Sequence, residues 1–194
     1  MATPAAVVPA GAPPLVNGRY LAAALVTLAV MAWATVAPSM WFLDFVHVFS
    51  GLLWTGIDLF MGFVVGPVLR RTDLAARRQV VRQLMPRMLY LMPTLAISTG
   101  TSGWFLAERL GFTALPYPAF VWVLSALVII TVLTIQGLGI LLPTNLRVYL
   151  EMRKDEPDIE RVGRAMALYV RVVGMQGLLQ IVIIVIMAHF ATGL

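Results

Sequence analysis

The sequence predicts an all-α membrane protein, a polytopic bundle of about five transmembrane helices. Hydrophobic residues make up 60% of the 194-residue chain and charged residues only 12%, whereas soluble domains have about 45–50% and about 25%. Five apolar segments are each long enough to cross a hydrocarbon layer of about 30 Å, which takes about 20 helical residues. The basic residues lie mainly in two of the connections between these segments. A bilayer therefore explains the composition better than a soluble core does.

The predicted spans follow one another with short connections, and residues 19–194 are predicted to form a single transmembrane domain. Their approximate limits are Tyr20–Ala37, Met40–Leu69, Leu84–Ala107, Tyr117–Leu142 and Leu168–Phe190. The second span exceeds the bilayer thickness and is predicted to tilt or to project beyond it. Pro86 and Pro93 are predicted to kink the third span. Residues 1–18 are uncharged and are predicted to be a flexible tail, not a secretory signal, because the first basic residue is Arg19.

Basic residues predict the orientation in the membrane. One cluster lies between the second and third spans: Arg70, Arg71, Arg77, Arg78, Arg82 and Arg87. The other lies between the fourth and fifth spans: Arg147, Arg153, Lys154, Arg161, Arg164 and Arg171. The positive-inside rule places both clusters in the cytoplasm, so the N-terminus lies inside and the C-terminus outside. The predicted location is a bacterial inner membrane, and the net charge of +5 reports this orientation and not nucleic-acid binding.

A stripe of polar and small residues follows one face of the second span. Asp44, His47, Gly51, Trp54 and Asp58 are spaced by three, four, three and four residues, which places them on one side of a helix. Ionisable side chains inside a bilayer usually face the bundle interior or a watery cavity. The glycine would let a flat ligand approach the backbone. Asp58, the deeper carboxylate, either handles a proton or pairs with a hydrogen-bond donor inside the bundle. Asp44 is equally well an outer-surface residue.

A second histidine, His189, lies in the fifth span at a matching depth. It and His47 are each about 12 Å outward from the middle of their helices at 1.5 Å per residue. Two imidazoles at one depth are the ligand set of a b-type haem. The alternative is that each histidine only bonds a neighbouring helix or faces solvent. Cysteine is absent from the chain, which excludes disulfides, thiolate metal sites and cysteine nucleophiles.

Short motifs resemble a superfamily of haem-associated membrane proteins. The second span contains His47-Val-Phe-Ser-Gly-Leu-Leu-Trp54-Thr-Gly56, which is similar to the opening helix of this group. The group includes the copper-resistance D proteins, the bacterial membrane protoporphyrinogen oxidase and the N-terminal membrane domain of cytochrome-c-linked urate oxidase. Further matches are Pro93 with Thr99-Gly100 and Gly103-Trp104, then Leu142-Pro143-Thr144-Asn145, then His189-Phe190. Together they cover most of residues 40–190.

The resemblance implies that His47 is an axial haem ligand and His189 a second one. The fourth span lacks the lysine and histidine of the protoporphyrinogen oxidase type, which argues against that activity. The fused cytochrome c domain of the urate oxidase type is missing, and so is any Cys-x-x-Cys-His motif. The electron acceptor is therefore expected to be another polypeptide or a quinone.

The leading functional hypothesis is a membrane protein that carries one haem b and transfers electrons, as a subunit of a respiratory or oxidoreductase complex. Arg109 would pair with a haem propionate, Trp54 would pack near the ring, and Asp58 would manage a coupled proton. One alternative is a non-catalytic accessory subunit beside a larger membrane complex. Another is copper handling by His47, Asp44 and methionines. The electron donor, the oligomeric state and whether the chain is itself an enzyme stay open.

Overall fold

The computed structural model describes residues 17–154 and 156–193, and the predicted tail lies largely outside this range. The described residues form an all-α bundle of long helices without a strand. We number the helices α1 to α5 along the chain. They are α1 Gly18–Val36, α2 Met40–Arg71, α3 Leu74–Arg109, α4 Phe120–Met152 and α5 Ile159–Thr192. A short 3₁₀ turn, Phe112–Ala114, lies between α3 and α4.

Side-chain caps explain where four of these helices begin. Asn17 accepts a hydrogen bond from the backbone N–H of Arg19 before α1, and Ser39 accepts one from Phe42 at 3.2 Å before α2. The same role is played by Asp73 before α3 and by Asp158 before α5, each at 2.9 Å. A side-chain oxygen at this position satisfies one of the free N–H groups of the first turn. Helix α5 begins at Ile159, directly after the Asp158 cap and nine residues before the predicted fifth span.

The prediction of a multi-pass membrane protein is confirmed in its main feature. By length and composition, α1, α2, α4 and α5 are apolar and long enough to cross a bilayer. The remaining helix, α3, is 36 residues long but carries more hydroxyl and basic side chains. Its buried hydroxyl residues are Thr94, Ser98, Thr99 and Ser102. They face neighbouring helices, so α3 needs less apolar surface than a helix in contact with lipid.

The helices extend further toward the arginines than the predicted spans do. The third span was predicted to begin near Leu84, whereas α3 begins at Leu74. Three arginines that precede the predicted span are therefore helical: Arg77, Arg78 and Arg82. A helix that leaves the hydrocarbon layer keeps its backbone hydrogen bonds, so the membrane boundary does not have to end it. The prolines Pro86 and Pro93 both lie inside this continuous helix.

Both arginine-rich connections lie at one end of the bundle. Arg82 Nε and Arg78 Nε on α3 donate to the backbone carbonyl of Met152, at the end of α4, at 3.0 and 3.1 Å. The start of α1 is at the same end, because Arg87 Nε donates to the hydroxyl of Tyr20 at 3.0 Å. We call this the arginine-rich end and the opposite one the distal end. The positive-inside prediction requires both arginine-rich connections to lie on the same side of the membrane, and their position at one end of the bundle agrees with it.

Helix α3 occupies the centre of the fold and contacts α1, α2 and α4. Near the distal end, Met31 and Ala34 of α1 pack with Leu43 and Val46 of α2. In the middle, Trp54 packs with Leu95 and Ala96 of α3 and Leu133 of α4. Another cluster lies at the arginine-rich end: Val81, Met85, Val148, Tyr149, Met152 and Val162. The polar stripe of α2 therefore faces the interior of the bundle along most of its length.

Candidate functional site

His47 lies half-buried between α2 and α3, toward the distal end. Its Nδ1 atom is 3.0 Å from the backbone carbonyl oxygen of Thr99. A carbonyl oxygen only accepts hydrogen bonds, so Nδ1 must carry the proton and donate it. The neutral imidazole then presents Nε2 with a free lone pair. A metal-binding histidine is oriented in the same way, with its second ring nitrogen donating to a carbonyl.

Gly103 provides the surface against which the His47 ring packs. A Cβ atom added to this glycine would lie 2.6 Å from Cε1, 2.9 Å from Nδ1 and 3.5 Å from Nε2 of the imidazole. The ring thus lies directly over the backbone of α3, in space that any other residue would fill. Glycine is used where another group must approach the backbone closely. The carbonyl of Thr99, one helical turn earlier, fixes the ring in this position.

The other members of the predicted stripe fall into different environments. A Cβ at Gly51 would lie 3.3 Å from Cγ2 of Thr99, so this glycine admits a side chain of α3 where the sequence suggested a flat ligand. Trp54 is buried in the central cluster. Asp44 is exposed, in agreement with the alternative that it is an outer-surface residue. The stripe is therefore an interface with α3 in its middle part.

Asp58 is the deepest polar residue of the stripe and faces α5. Its Oδ2 atom accepts hydrogen bonds from Gln176 Nε2 at 2.5 Å and from Gln180 Nε2 at 2.8 Å. The indole of Trp54, one turn away on α2, lines the same cavity as this carboxyl group. Asp58 is 5% exposed and both glutamines are 1% exposed. The expected pairing with an interior donor is therefore present.

His189 lies near the end of α5 and contacts α4. Its ring stacks on Trp122 with centroids 4.1 Å apart and planes inclined by 29°. The next residue, Phe190, stacks on Phe112 at 4.9 Å. The described ring contacts of His189 are thus with Trp122 of α4 and with Phe190 beside it, whereas those of His47 are with α3. The pairing of the two histidines on one ligand stays a prediction.

Arg109 connects the distal ends of α3 and α1. Its Nη1 donates to the carbonyl of Ala37 at 2.8 Å and its Nη2 donates to that of Thr35 at 2.6 Å. These carbonyls lie at the end of α1, where helical partners are missing, and a cation there also interacts favourably with the helix dipole. The guanidinium thus holds a helix end, and its contact with a haem propionate stays a prediction.

Replacing Arg109 with alanine is expected to lower the free energy of unfolding by about 1 kcal/mol, because two charge-assisted hydrogen bonds at a partly hydrated site are lost. Unfolding in increasing denaturant, followed by circular dichroism, measures the loss. Its exposed neighbour Glu108 supplies the control, since Glu108→Ala removes a charge without touching α1. Equal stability of the two variants would show that Arg109 does not hold the end of α1.

Several residues around Asp58 were not identified from the sequence as site residues. Gln176 and Gln180 are four residues apart on α5, which places them on one face of the helix but does not tell which side chain they bond. Asn145 and Tyr169 line the cavity beside Asp58. Four methionines also lie there: Met61, Met85, Met88 and Met92. Met85, Met88 and Met92 are spaced by three and four residues, and this spacing in the sequence predicts that they share one face of α3.

No protein-family model, curated protein or solved structure matches the chain.

Proposed function

We propose that the protein is an integral membrane protein that binds haem b through His47 and transfers electrons, as a subunit of an oxidoreductase complex in a bacterial cytoplasmic membrane. The observation that carries the proposal is the hydrogen bond from His47 Nδ1 to the Thr99 carbonyl at 3.0 Å. It fixes the tautomer in which Nε2, the atom that would bind iron, is unprotonated. The close packing on Gly103 holds the ring still.

The residues around His47 are compatible with an axial haem ligand. The imidazole is half-buried in a helix interface of an apolar bundle. Its orientation comes from a backbone carbonyl and a glycine, neither of which competes for Nε2. Bound haem would supply an iron that cycles between the ferrous and ferric states and so carries one electron. The chain itself contributes the ligand, its tautomer and its fixed direction.

The motif resemblance supports the same proposal from a second side. Three of its positions come together at one point of the structure: His47 on α2, and Thr99 and Gly103 on α3. Thr99 and Gly103 belong to the short motif on the third span. Their contacts with His47 give this motif a physical role, because the Thr99 carbonyl orients the imidazole and Gly103 leaves the space in which the ring lies. An external protein or a quinone would be the electron partner.

The visible spectrum of the purified full-length protein tests the proposal. We expect a reduced-minus-oxidised difference spectrum with the absorption bands of haem b, and extraction of the pigment as its pyridine complex to give one haem per chain. A colourless protein purified from cells that are making haem normally would contradict the proposal. It would favour the alternative of an accessory subunit, above all if a larger complex co-purified in equal amount.

A further inference from the structure

A small cavity lies beside Asp58, well away from His47. The two residues are eleven positions apart on α2, or roughly 16 Å at 1.5 Å per residue. The cavity is bordered by α2, α3, α4 and α5, and its polar lining consists of Asp58, Asn145, Tyr169 and Gln176. Its volume is about 40 Å³, which is room for about three water molecules. A ligand of this cavity is therefore small.

Two buried acceptors next to Asp58 have no hydrogen-bond partner among the described residues. Gln176 and Gln180 each spend an amide nitrogen on the carboxylate. Their amide oxygens, Oε1, are fully buried and have no hydrogen-bond partner among the described residues. An unpaired buried acceptor costs free energy that a donor or a positive charge would restore. Gln176 lines the cavity, so an occupant of the cavity is within reach of this group.

The charge of Asp58 has no protein counter-charge in the described part of the chain. The ion pairs found there are Lys154 with Glu151 and Arg164 with Glu160, at the arginine-rich end. Among the residues that line the cavity, Tyr169 on α5 is the other titratable one, and the faces from α3 and α4 contribute no charged side chain. A buried carboxylate without a counter-charge is costly in a bilayer. Positive charge from outside the chain would balance it.

The backbone around the cavity is irregular at two places. The π-helical segment Met61–Val65 interrupts α2, and the segment Ile135–Leu141 interrupts α4. The second segment reaches the cavity through Gly137 and Leu141, and Met61 of the first lines an adjoining smaller pocket that also borders Asp58. π-helical turns are rare and are frequent at functional sites. Two of them beside Asp58 mark its surroundings as more than a packing defect.

We propose that the Asp58 cavity binds a small monovalent cation with its water, either a proton or Na⁺. As Na⁺, the ion has its charge balanced by Asp58, and Oε1 of Gln176, which lines the cavity, completes the oxygen shell together with water. Carboxylate, amide and water oxygens are hard ligands that suit such ions, whereas thioethers select soft metals. The site is independent of the proposed haem ligand, so either proposal survives the failure of the other.

Thermal unfolding of the full-length protein in detergent tests the Na⁺ form. With NaCl in place of choline chloride at equal ionic strength, the midpoint Tm rises by roughly 2–4 °C, because a ligand of the folded state stabilises it. Asp58→Asn abolishes the rise, and Asp44→Asn, an exposed carboxylate on the same helix, keeps it. A rise that persists in Asp58→Asn would overturn the Na⁺ form.

Infrared spectroscopy tests the proton form on the same samples. If the cation is a proton, Na⁺ does not change the Tm. A carboxylic-acid C=O band is then present at neutral pH in the wild type and in Asp44→Asn, and it is missing from Asp58→Asn. An absent band together with an unchanged Tm would overturn the proposal and leave a cavity that holds water only. Should Asp58→Asn fail to accumulate, Gln176→Leu replaces it, since Gln180 still holds the carboxylate. An unaltered Na⁺ response or band in that variant would also overturn the proposal.

Discussion

Replacing Gly103 with alanine is expected to destabilise the folded protein by about 1–3 kcal/mol, the usual cost of overfilling a packed interior. The added Cβ would lie 2.6 Å from Cε1 of His47, well inside van der Waals contact. The imidazole cannot move aside without losing its hydrogen bond to the Thr99 carbonyl. The substitution therefore either separates α2 from α3 or displaces the histidine. Unfolding in denaturant, followed by circular dichroism, measures the change.

Gly100 provides a matched control on the same helix. A Cβ added there meets no atom within 4 Å, and alanine is favoured over glycine inside a helix by about 1 kcal/mol. Gly100→Ala is thus expected to leave stability unchanged or to raise it. If Gly103→Ala were as stable as Gly100→Ala, the close approach of the His47 ring to α3 would be wrong, and the proposed orientation of its Nε2 atom would lose its basis.

Replacing Asp58 with leucine is expected to cost about 1–3 kcal/mol of folding stability. The carboxylate accepts hydrogen bonds from two buried amides, at 2.5 and 2.8 Å. Leucine accepts none, so Gln176 Nε2 and Gln180 Nε2 would be buried without a partner. Asp44→Leu on the exposed side of the same helix is the control and should be near neutral, because no buried donor depends on that carboxylate.

A combined variant separates the loss of hydrogen bonds from other effects of the leucine. In the triple variant Asp58→Leu, Gln176→Leu and Gln180→Leu, the two amide donors are removed together with their acceptor. Stability should then recover relative to Asp58→Leu alone, since no buried amide is left unpaired. Denaturant unfolding of the three proteins measures this coupling. A triple variant that is less stable than the single one would show that these side chains stabilise the bundle by packing.

The helical bundle could be predicted from the sequence because it depends on composition and on the length of apolar segments. Arg82 shows where this reasoning stops. It was assigned to a connection because charged residues avoid the hydrocarbon layer, yet it lies on α3, where its guanidinium reaches the carbonyl of Met152. Hydropathy locates the membrane-embedded part of a helix and carries no information on how far the helix continues into water.

The candidate site was predictable only as one face of one helix. The spacing of His47, Trp54 and Asp58 on α2 showed that they lie on the same side, since the helical period is fixed. Their partners lie on other helices, and a single sequence does not tell which helices pack together. The acceptor for His47 is a backbone carbonyl, that of Thr99, which leaves no side-chain signature. The partners of Asp58, Gln176 and Gln180, share one face of α5, and this spacing does not tell which helix they contact.

The spectrum of a His47 variant tests the central claim most directly. We expect His47→Ala to lose the haem b bands of the reduced-minus-oxidised difference spectrum while circular dichroism shows the helical content retained. His189→Ala, measured beside it, reports whether the second histidine is also a ligand, through a change in the spin state of the iron with the haem still bound. Haem bands unchanged in His47→Ala would contradict the assignment of His47 as the haem ligand.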